Sequence, residues 1–300
     1  MRTATQTAVP KYQTRVSSHS WFNGSICPLE TGAPSIASIS LHLGTGVFDG
    51  LMAYWNENHY YLHRAEAHLD RFREGSNRMG LLIPWTTRQL LAGVHELLAH
   101  EPVGTQYVRP IVYRKAPELW VTGNEGMPVD VSIFTVRVTR DIDAPISCHI
   151  SSVERISSRA IPGHTKVSGA YVNSFNARKT AEKAGFDDGL MLDREGRLTE
   201  ASAANFFAIT RGRLITPPIN PDVFPGVTRS TVIDLGREIG VDIDEVDIRP
   251  SDLDKVEAAF LCSTLMEVRP ISRIGGTVLA TTENELFRSV LTSFRGLTHQ

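Results

Sequence analysis

The sequence predicts a two-domain protein that mixes α and β structure, with strands and helices partly segregated (α/β in the broad sense, α+β in detail). Three observations predict it. The chain has 300 residues, 41% of them hydrophobic, a size that divides more naturally into two cores than one. Apolar periods of two and of 3.6 residues follow one another along it. A polar stretch, Thr139-Arg140-Asp141-Ile142-Asp143-Ala144-Pro145, closes on proline between two such series. The expected domains are therefore residues 1–139 and 147–300, with 140–146 as the linker.

In the first half, residues up to about Ser18 read as a loosely held arm. Trp21-Phe22-Asn23-Gly24-Ser25 reads as a short strand ending in a turn. Ser35 to Leu43 alternates apolar and polar residues until Gly44-Thr45-Gly46 breaks the pattern. Val47 to Trp55 is strand-like, Asn56-Glu57-Asn58-His59 turns the chain, and Tyr60-Tyr61-Leu62 pairs back as a hairpin. A helix follows from about Ala65 to Met79, with Leu69, Phe72 and Ser76 on one face and Gly80 as its stop. Its Arg71, Arg73 and Arg78 interleave with Asp70 and Glu74, which reads as a solvated or interface face. Thr86 to His100 is a second amphipathic helix, and Gln106 to Tyr113 and Asp130 to Thr139 are strands.

The second half opens with a strand at Ser147 to Ile156, and a helix runs from Ala170 to Ala184 before Gly185. Hairpins follow at Gly189 to Ser202 and at Asn205 to Thr216, and two hairpins in series give a curved antiparallel layer. A helix from Pro225 stops at Gly240, strands cover Asp242 to Ile248 and Ala258 to Cys262, and a terminal helix covers about Glu283 to Arg295.

Several function classes are disfavoured. The formal net charge is -2 and the basic residues form no long runs, so no nucleic-acid footprint is indicated. Cys27, Cys148 and Cys262 are far apart and odd in number, which suits a reducing, cytoplasmic compartment better than a disulfide framework. The polar first twenty residues lead us to expect no signal peptide, and no apolar run approaches a membrane span. No G-x-G-x-x-G follows a strand, which argues against a nicotinamide or flavin enzyme. His42, His63 and His164 lack ligand spacing, so no metal is expected.

Chemistry concentrates around His164-Thr165-Lys166-Val167-Ser168-Gly169-Ala170-Tyr171. A lysine kept out of water loses part of its preference for the charged form, so its pKa falls from about 10.4 and its amine becomes a nucleophile or base. The bland alternative is an exposed helix lysine with a half-buried tyrosine beside it. Glu200 ends a strand among the small residues Ala201, Ser202, Ala203 and Ala204, where a ligand could approach closely. Gly226-Val227-Thr228 is a helix N-terminus with unpaired backbone N–H groups, suited to a phosphate, and Ser263-Thr264 offers further donors. Arg64, at a strand-to-helix junction, reads either as a bidentate contact for phosphate or carboxylate or as an ordinary salt-bridging residue. Tyr107 and Arg109 share one face of their strand, as a carboxylate clamp or as an aromatic–guanidinium stack. A lysine, an acid, a tyrosine, an arginine and phosphate-binding amides together match what pyridoxal phosphate requires of a protein.

These residues fall within a series of ordered motifs. They are Leu41-His42-Leu43-Gly44-Thr45-Gly46-Val47-Phe48-Asp49-Gly50, His63-Arg64, Tyr107-Val108-Arg109-Pro110, Lys166 to Tyr171, Leu198 to Phe207, Thr216-Pro217-Pro218, Phe224 to Arg229, and Ser263-Thr264. In these the chain resembles the class IV (fold type IV) pyridoxal-phosphate enzymes, above all the branched-chain amino acid aminotransferases, from about Trp21 to Thr292. The resemblance implies a smaller N-terminal α/β domain, a larger C-terminal domain with a pseudo-barrel core, and a homodimer whose partner chain contributes to the pocket. It implies that Lys166 carries pyridoxal 5'-phosphate and shuttles a proton, and that Glu200 pairs with the pyridine nitrogen. Tyr171 would bond the ring oxygen, and Arg64, Val227, Thr228 and Thr264 would hold the phosphate. Phe224 would lie against the ring, with Phe48, Tyr107, Arg109 and Leu265 lining the substrate pocket and Asn205 supporting the Glu200 loop.

The implied reaction moves an amino group from a hydrophobic, branched-chain-like L-amino acid to a 2-oxo acid such as 2-oxoglutarate. Other reactions on the same fold are the alternatives: transamination of (R)-amines or D-amino acids, release of pyruvate from aminodeoxychorismate, or a non-catalytic cofactor-binding module. The Tyr-x-Arg-Pro pattern argues against the D-amino-acid subgroup. Leu43 stands where branched-chain enzymes commonly carry tyrosine, and Leu265-Met266 where they carry small residues, which implies a reshaped substrate pocket.

Overall fold

The computed structural model describes residues 12–115 and 126–298; the expected arm before residue 12 lies outside them. The first sheet contains β1 (Tyr12–Val16), β2 (His19–Phe22), β3 (Ser25–Pro28), β4 (Val47–Phe48), β5 (Leu51–Asn56), β6 (His59–Leu62), β7 (Gln106–Tyr113) and β8 (Asp130–Arg140). Its main path is β3-β2-β8-β7-β5-β6, with β1 on β8 and β4 on β7, and each pairing is antiparallel. Tyr12–Val16, within the expected arm, are thus a strand, because β8 continues to Arg140 and offers them a partner.

Helices α2 (Ala65–Arg78) and α3 (Thr87–His100) cover one face of this sheet. The Thr86 hydroxyl accepts from the Gln89 amide while the Gln89 side chain accepts from the Thr86 N–H, a reciprocal cap that fixes where α3 begins. Leu69, Phe72, Leu90, Val94 and Leu97 meet Val108, Val112, Val131 and Ile133 in a closed core. The alternating stretch before Gly44 is not extended. Ile39–Leu43 forms the short helix α1, ended by Gly44 at φ 67°, a left-handed conformation that glycine adopts without steric penalty.

The second sheet contains β9 (Ile146–Ile150), β10 (Asp188–Leu192), β11 (Leu198–Ala201), β12 (Asn205–Thr210), β13 (Arg213–Thr216), β14 (Ile243–Glu245), β15 (Ala258–Ser263), β16 (Glu267–Ile274) and β17 (Thr277–Val278). Its order is β11-β10-β9-β16-β15-β12-β13-β14, and β11 also pairs with β12. That additional pairing, Glu200 opposite Asn205, closes six strands into a ring. The strand β16 has no expectation behind it in the sequence analysis, since Pro270 and two arginines interrupt its apolar pattern. Proline has no N–H to give a ladder, and here it falls just before the first β9 pair, Ile271 with Ile146.

Strand β12 shows how the ring builds two cores. Phe206 and Ala208 point inside it with Leu190, Leu261 and Ile271. Phe207 and Ile209 point outward with Phe260, Val232, Phe287 and Phe294, the alternation a strand imposes. That outer core is roofed by α5 (Val227–Glu238) and α6 (Glu285–Thr298). Helix α4 (Tyr171–Lys183) sits against β10 and buries Ser174, Ala177 and Ala181. Among the described residues no helix is long and apolar enough to cross a membrane.

Candidate active site

Lys166 lies on the connection from β9 to α4, and that connection is docked onto the first sheet. The Phe48 amide donates to the Lys166 carbonyl at 3.1 Å, Ser168 N to Gly46 O at 2.8 Å, and Gly169 N to Gly44 O at 2.8 Å. The approach needs two glycines, since a Cβ on Gly44 would stand 3.0 Å from the Gly169 Cα. The lysine is thereby held beside the first sheet, in the lining of a cavity of about 350 Å³.

Lys166 Nζ donates to the Tyr171 hydroxyl at 3.2 Å and lies 4.1 Å above the centre of the Phe224 ring. Tyr171 is the first residue of α4, so the helix start orients the phenol toward the amine. Glu200, at the ring closure, is 7% exposed. Its Oε1 meets Arg155 Nε at 2.9 Å, and its Oε2 accepts from the Phe224 amide at 3.1 Å and from Asn205 Nδ2 at 3.4 Å. Burial raises the Glu200 pKa, and the nearby Arg155 and Lys166 charges work against that shift. Asn205 also donates to the Phe224 carbonyl at 2.9 Å, so it buttresses the acid and the aromatic together.

Val227 and Thr228, which line the cavity, form the first turn of α5. First-turn amides have no intrahelical acceptor and favour anions. Thr264 and Leu265 line the same space from the β15–β16 turn. Arg109, also in the lining, donates to the Tyr107 hydroxyl at 3.0 Å and lies 4.4 Å from the Phe48 ring centre. Arg109 is stacked among aromatics and faces the cavity at once, with its Nε buried and unpartnered.

Eleven of the twelve residues expected at the site therefore line this cavity: Phe48, Tyr107, Arg109, Lys166, Tyr171, Glu200, Phe224, Val227, Thr228, Thr264 and Leu265. Arg64 does not. It precedes α2 at φ 46°, and its guanidinium turns outward to Asp234 at 2.6 Å, with both side chains more than a third exposed. The arginine of α2 that faces the cavity is Arg71, two turns further along the chain than Arg64. The expectation of a solvated or interface face, which rested on the charges of Asp70 and Glu74 beside it, did not include a cavity-lining role for Arg71. The available signal was helical spacing: Arg71 lies three residues after His68 and four before Gly75, and both are buried.

Arg71 belongs to a buried polar cluster that the sequence analysis did not anticipate. Its Nε and Nη2 donate to Asp49 Oδ2 and Oδ1 at 2.8 and 2.7 Å, and its Nη1 donates to the Pro225 carbonyl at 3.0 Å. His68 Nδ1 contacts Asp49 Oδ1 at 3.0 Å. Burial alone would raise the Asp49 pKa, but the Arg71 charge and the bonds from His68 and Arg71 hold it well below the usual carboxylate range. Nearby, burial and the adjacent Arg64 charge push His63 down to about 4. Arg155 is another cavity residue that was not expected.

A closed β-ring beside a second sheet, with a lysine amine and a buried acid facing one cavity, defines an enzyme site built for amine chemistry. Comparison with known proteins gives the family. The pattern of the family described as amino-transferase class IV matches residues 46–274, and the chain belongs to that family. It is 33% identical over 260 residues to the probable branched-chain-amino-acid aminotransferase of Aquifex aeolicus, covering 85% of this chain and 83% of that one. A solved branched-chain aminotransferase from the archaeon Thermoproteus uzoniensis, with norvaline, superposes with a TM-score of 0.88 at 28% identity, covering 95% and 96% of the two chains. The branched-chain amino acid aminotransferase of Thermobaculum terrenum, solved in its PLP form, gives 0.85 at 26% identity, covering 95% of this chain and 94% of that one. The fold is that of the fold type IV aminotransferases, with the closed ring as its pseudo-barrel.

Proposed function

We propose that this protein is a pyridoxal-phosphate-dependent aminotransferase that moves the amino group of a branched-chain L-amino acid to a 2-oxo acid such as 2-oxoglutarate. One observation carries the reading: the Lys166 amine, bonded to Tyr171, shares its cavity with the buried carboxylate of Glu200 and the first turn of α5. The donor set fits the cofactor at each end. An anionic carboxylate suits a cationic ring nitrogen, and α5 amides with Arg71 suit a phosphate. The cavity of about 350 Å³ falls in the range of small-molecule sites.

When bound, pyridoxal phosphate supplies an aldehyde for amine exchange and a ring that takes up the electrons of the bond broken at the substrate α-carbon. Lys166 would hold the cofactor through its amine and, once displaced, carry the proton at the α-carbon. Tyr171 keeps that amine aimed into the cavity. Glu200, propped by Arg155, Asn205 and the Phe224 amide, would hold the ring-nitrogen proton in place. Arg71, the Val227 and Thr228 amides and Thr264 would bind the phosphate, and Phe224 would pack on the ring. Phe48, Tyr107, Arg109 and Leu265 would form the substrate wall, with Arg109 receiving a carboxylate.

The division into 1–139, linker 140–146 and 147–300 belongs to the same proposal, as do a cytoplasmic setting and a homodimer. For the dimer, Leu41, Leu43, Val172 and Phe175 are exposed apolar side chains on α1 and α4, which meet through Gly44 and Gly169. The test is the visible spectrum of purified, cofactor-loaded protein during addition of excess leucine, isoleucine or valine with no acceptor. Loss of the yellow band is expected, with return on adding 2-oxoglutarate. Bleaching by (R)-amines or D-amino acids alone, or no bleaching by any amine, would sink the reading.

A further inference from the structure

We propose that Asp49 is a positioning residue that aims the Arg71 guanidinium at the cofactor phosphate; this rests on the reading of Arg71 as a phosphate contact. Asp49 is 1% exposed and spans two edges of the guanidinium with its two oxygens. Such a two-point contact fixes the plane of the group as well as its place. Pro225, in the turn before α5, takes one Nη1 hydrogen. Arginine has five N–H bonds. Asp49 and Pro225 occupy three, and a His68 Nδ1 that donates to Asp49 cannot accept from Arg71. Two N–H bonds are left, on a side chain that is 13% exposed and lines the cavity beside Val227 and Thr228.

A buried anion is an electrically poor neighbour for a phosphate site. It cancels much of the arginine's charge, and buried ion pairs add little stability over apolar packing. Orientation is what the pair supplies. Asp49 also accepts from the Gly50 amide at 2.7 Å, which anchors it to the link between β4 and β5 rather than to α2. Arg71 is thus held from a second element, and its aim does not depend on the helix alone.

The experiment compares dissociation constants of pyridoxal 5'-phosphate and of pyridoxal, which lacks the phosphate, for the natural protein, Arg71→Ala and Asp49→Asn. The ratio of the two constants, pyridoxal over pyridoxal 5'-phosphate, reports phosphate recognition, and a general loss of structure weakens both ligands and leaves it unmoved. Asp49→Asn is expected to lower the ratio by about tenfold, the equivalent of one charged hydrogen bond, with pyridoxal affinity unchanged. If Arg71→Ala lowers the ratio and Asp49→Asn does not, the positioning role is overturned. If Arg71→Ala leaves the ratio intact, the phosphate contact itself is wrong; if the natural protein binds neither ligand, the cofactor reading is wrong. Should Asp49→Asn not fold, Arg71→Lys takes its place. It keeps the charge but cannot span both Asp49 oxygens, so it should lower the ratio as far as Arg71→Ala, and a retained ratio overturns the proposal.

Discussion

Arg155 Nε stands 2.9 Å from Glu200 Oε1, the two side chains 16% and 9% exposed. The arginine comes from the segment after β9 and the glutamate from the ring closure. Together they form a largely buried ion pair that ties these two elements to each other.

Replacing Arg155 with methionine leaves Glu200 buried without its counter-ion. Breaking such a pair costs about 3 kcal/mol, so denaturant unfolding of the cofactor-free variant should show a loss of that order at pH 7.5. The sign with pH follows from burial, which raises the folded-state pKa of Glu200. Between the unfolded-state and folded-state values, the folded state holds a proton that the unfolded state has released, so stability rises as pH falls. The deficit should therefore shrink at pH 5. A deficit equal at both pH values would show that Glu200 is not the group responsible.

Arg64 offers the contrasting case. Its partner Asp234 is 45% exposed and Arg64 itself 37%, and exposed pairs contribute roughly 0–1 kcal/mol. Arg64→Ala should leave the affinity for pyridoxal phosphate unchanged in a fluorescence titration. A severalfold loss of affinity would return Arg64 to the phosphate site.

Gly50 has no room for a side chain. A Cβ there would overlap the Tyr107 hydroxyl oxygen, so Gly50→Ala must displace the phenol and break the bond it accepts from Arg109. The KM for a dicarboxylic acceptor should rise by roughly tenfold, while the spectrum of the bound cofactor stays as it was. Unchanged acceptor kinetics would separate Tyr107 and Arg109 from acceptor binding.

His63 carries a pH dependence of its own. The ring is buried between Tyr61 and Thr231, at 3.1 and 2.9 Å, and its pKa is lowered from 6.5 to about 4, by burial first and the Arg64 charge second. Between those values the unfolded state binds a proton that the folded state refuses. The contribution is present in full above pH 6.5 and is lost as pH falls toward 4, about 3 kcal/mol over the window. His63→Gln should flatten the fall in melting temperature between pH 7 and pH 4.5 relative to the natural protein, and parallel curves would rule His63 out as its source.

Helices α2 and α5 were legible because each stops near a glycine, Gly80 and Gly240, and α3 because it buries one stripe at helical spacing; α6 runs past its expected end at Arg295 to Thr298. The hairpin β5–β6 was legible from its turn. Helix α1 was not, because one helical turn with two buried residues looks the same as alternation. Strand β16 was hidden by Pro270, whose missing N–H is harmless only at the place in the sheet where it falls. At the candidate site, Lys166, Tyr171 and Glu200 stood out because their neighbours are small, polar or glycine. Arg71 did not, since charged residues flank it in the chain while its own side chain turns inward.

The sequence by itself determined the local elements, the run of motifs and the residue types able to serve an amine-exchanging cofactor, because these depend on neighbours within a few positions. The tertiary structure alone decided that β11 pairs with β12 to close the ring, that the Lys166 segment docks on Gly44 and Gly46, and that Arg71 rather than Arg64 faces the cavity. Each of those outcomes depends on partners far away in the chain. The direction of a side chain on a helix is set by what packs against the helix, and no local pattern contains that information.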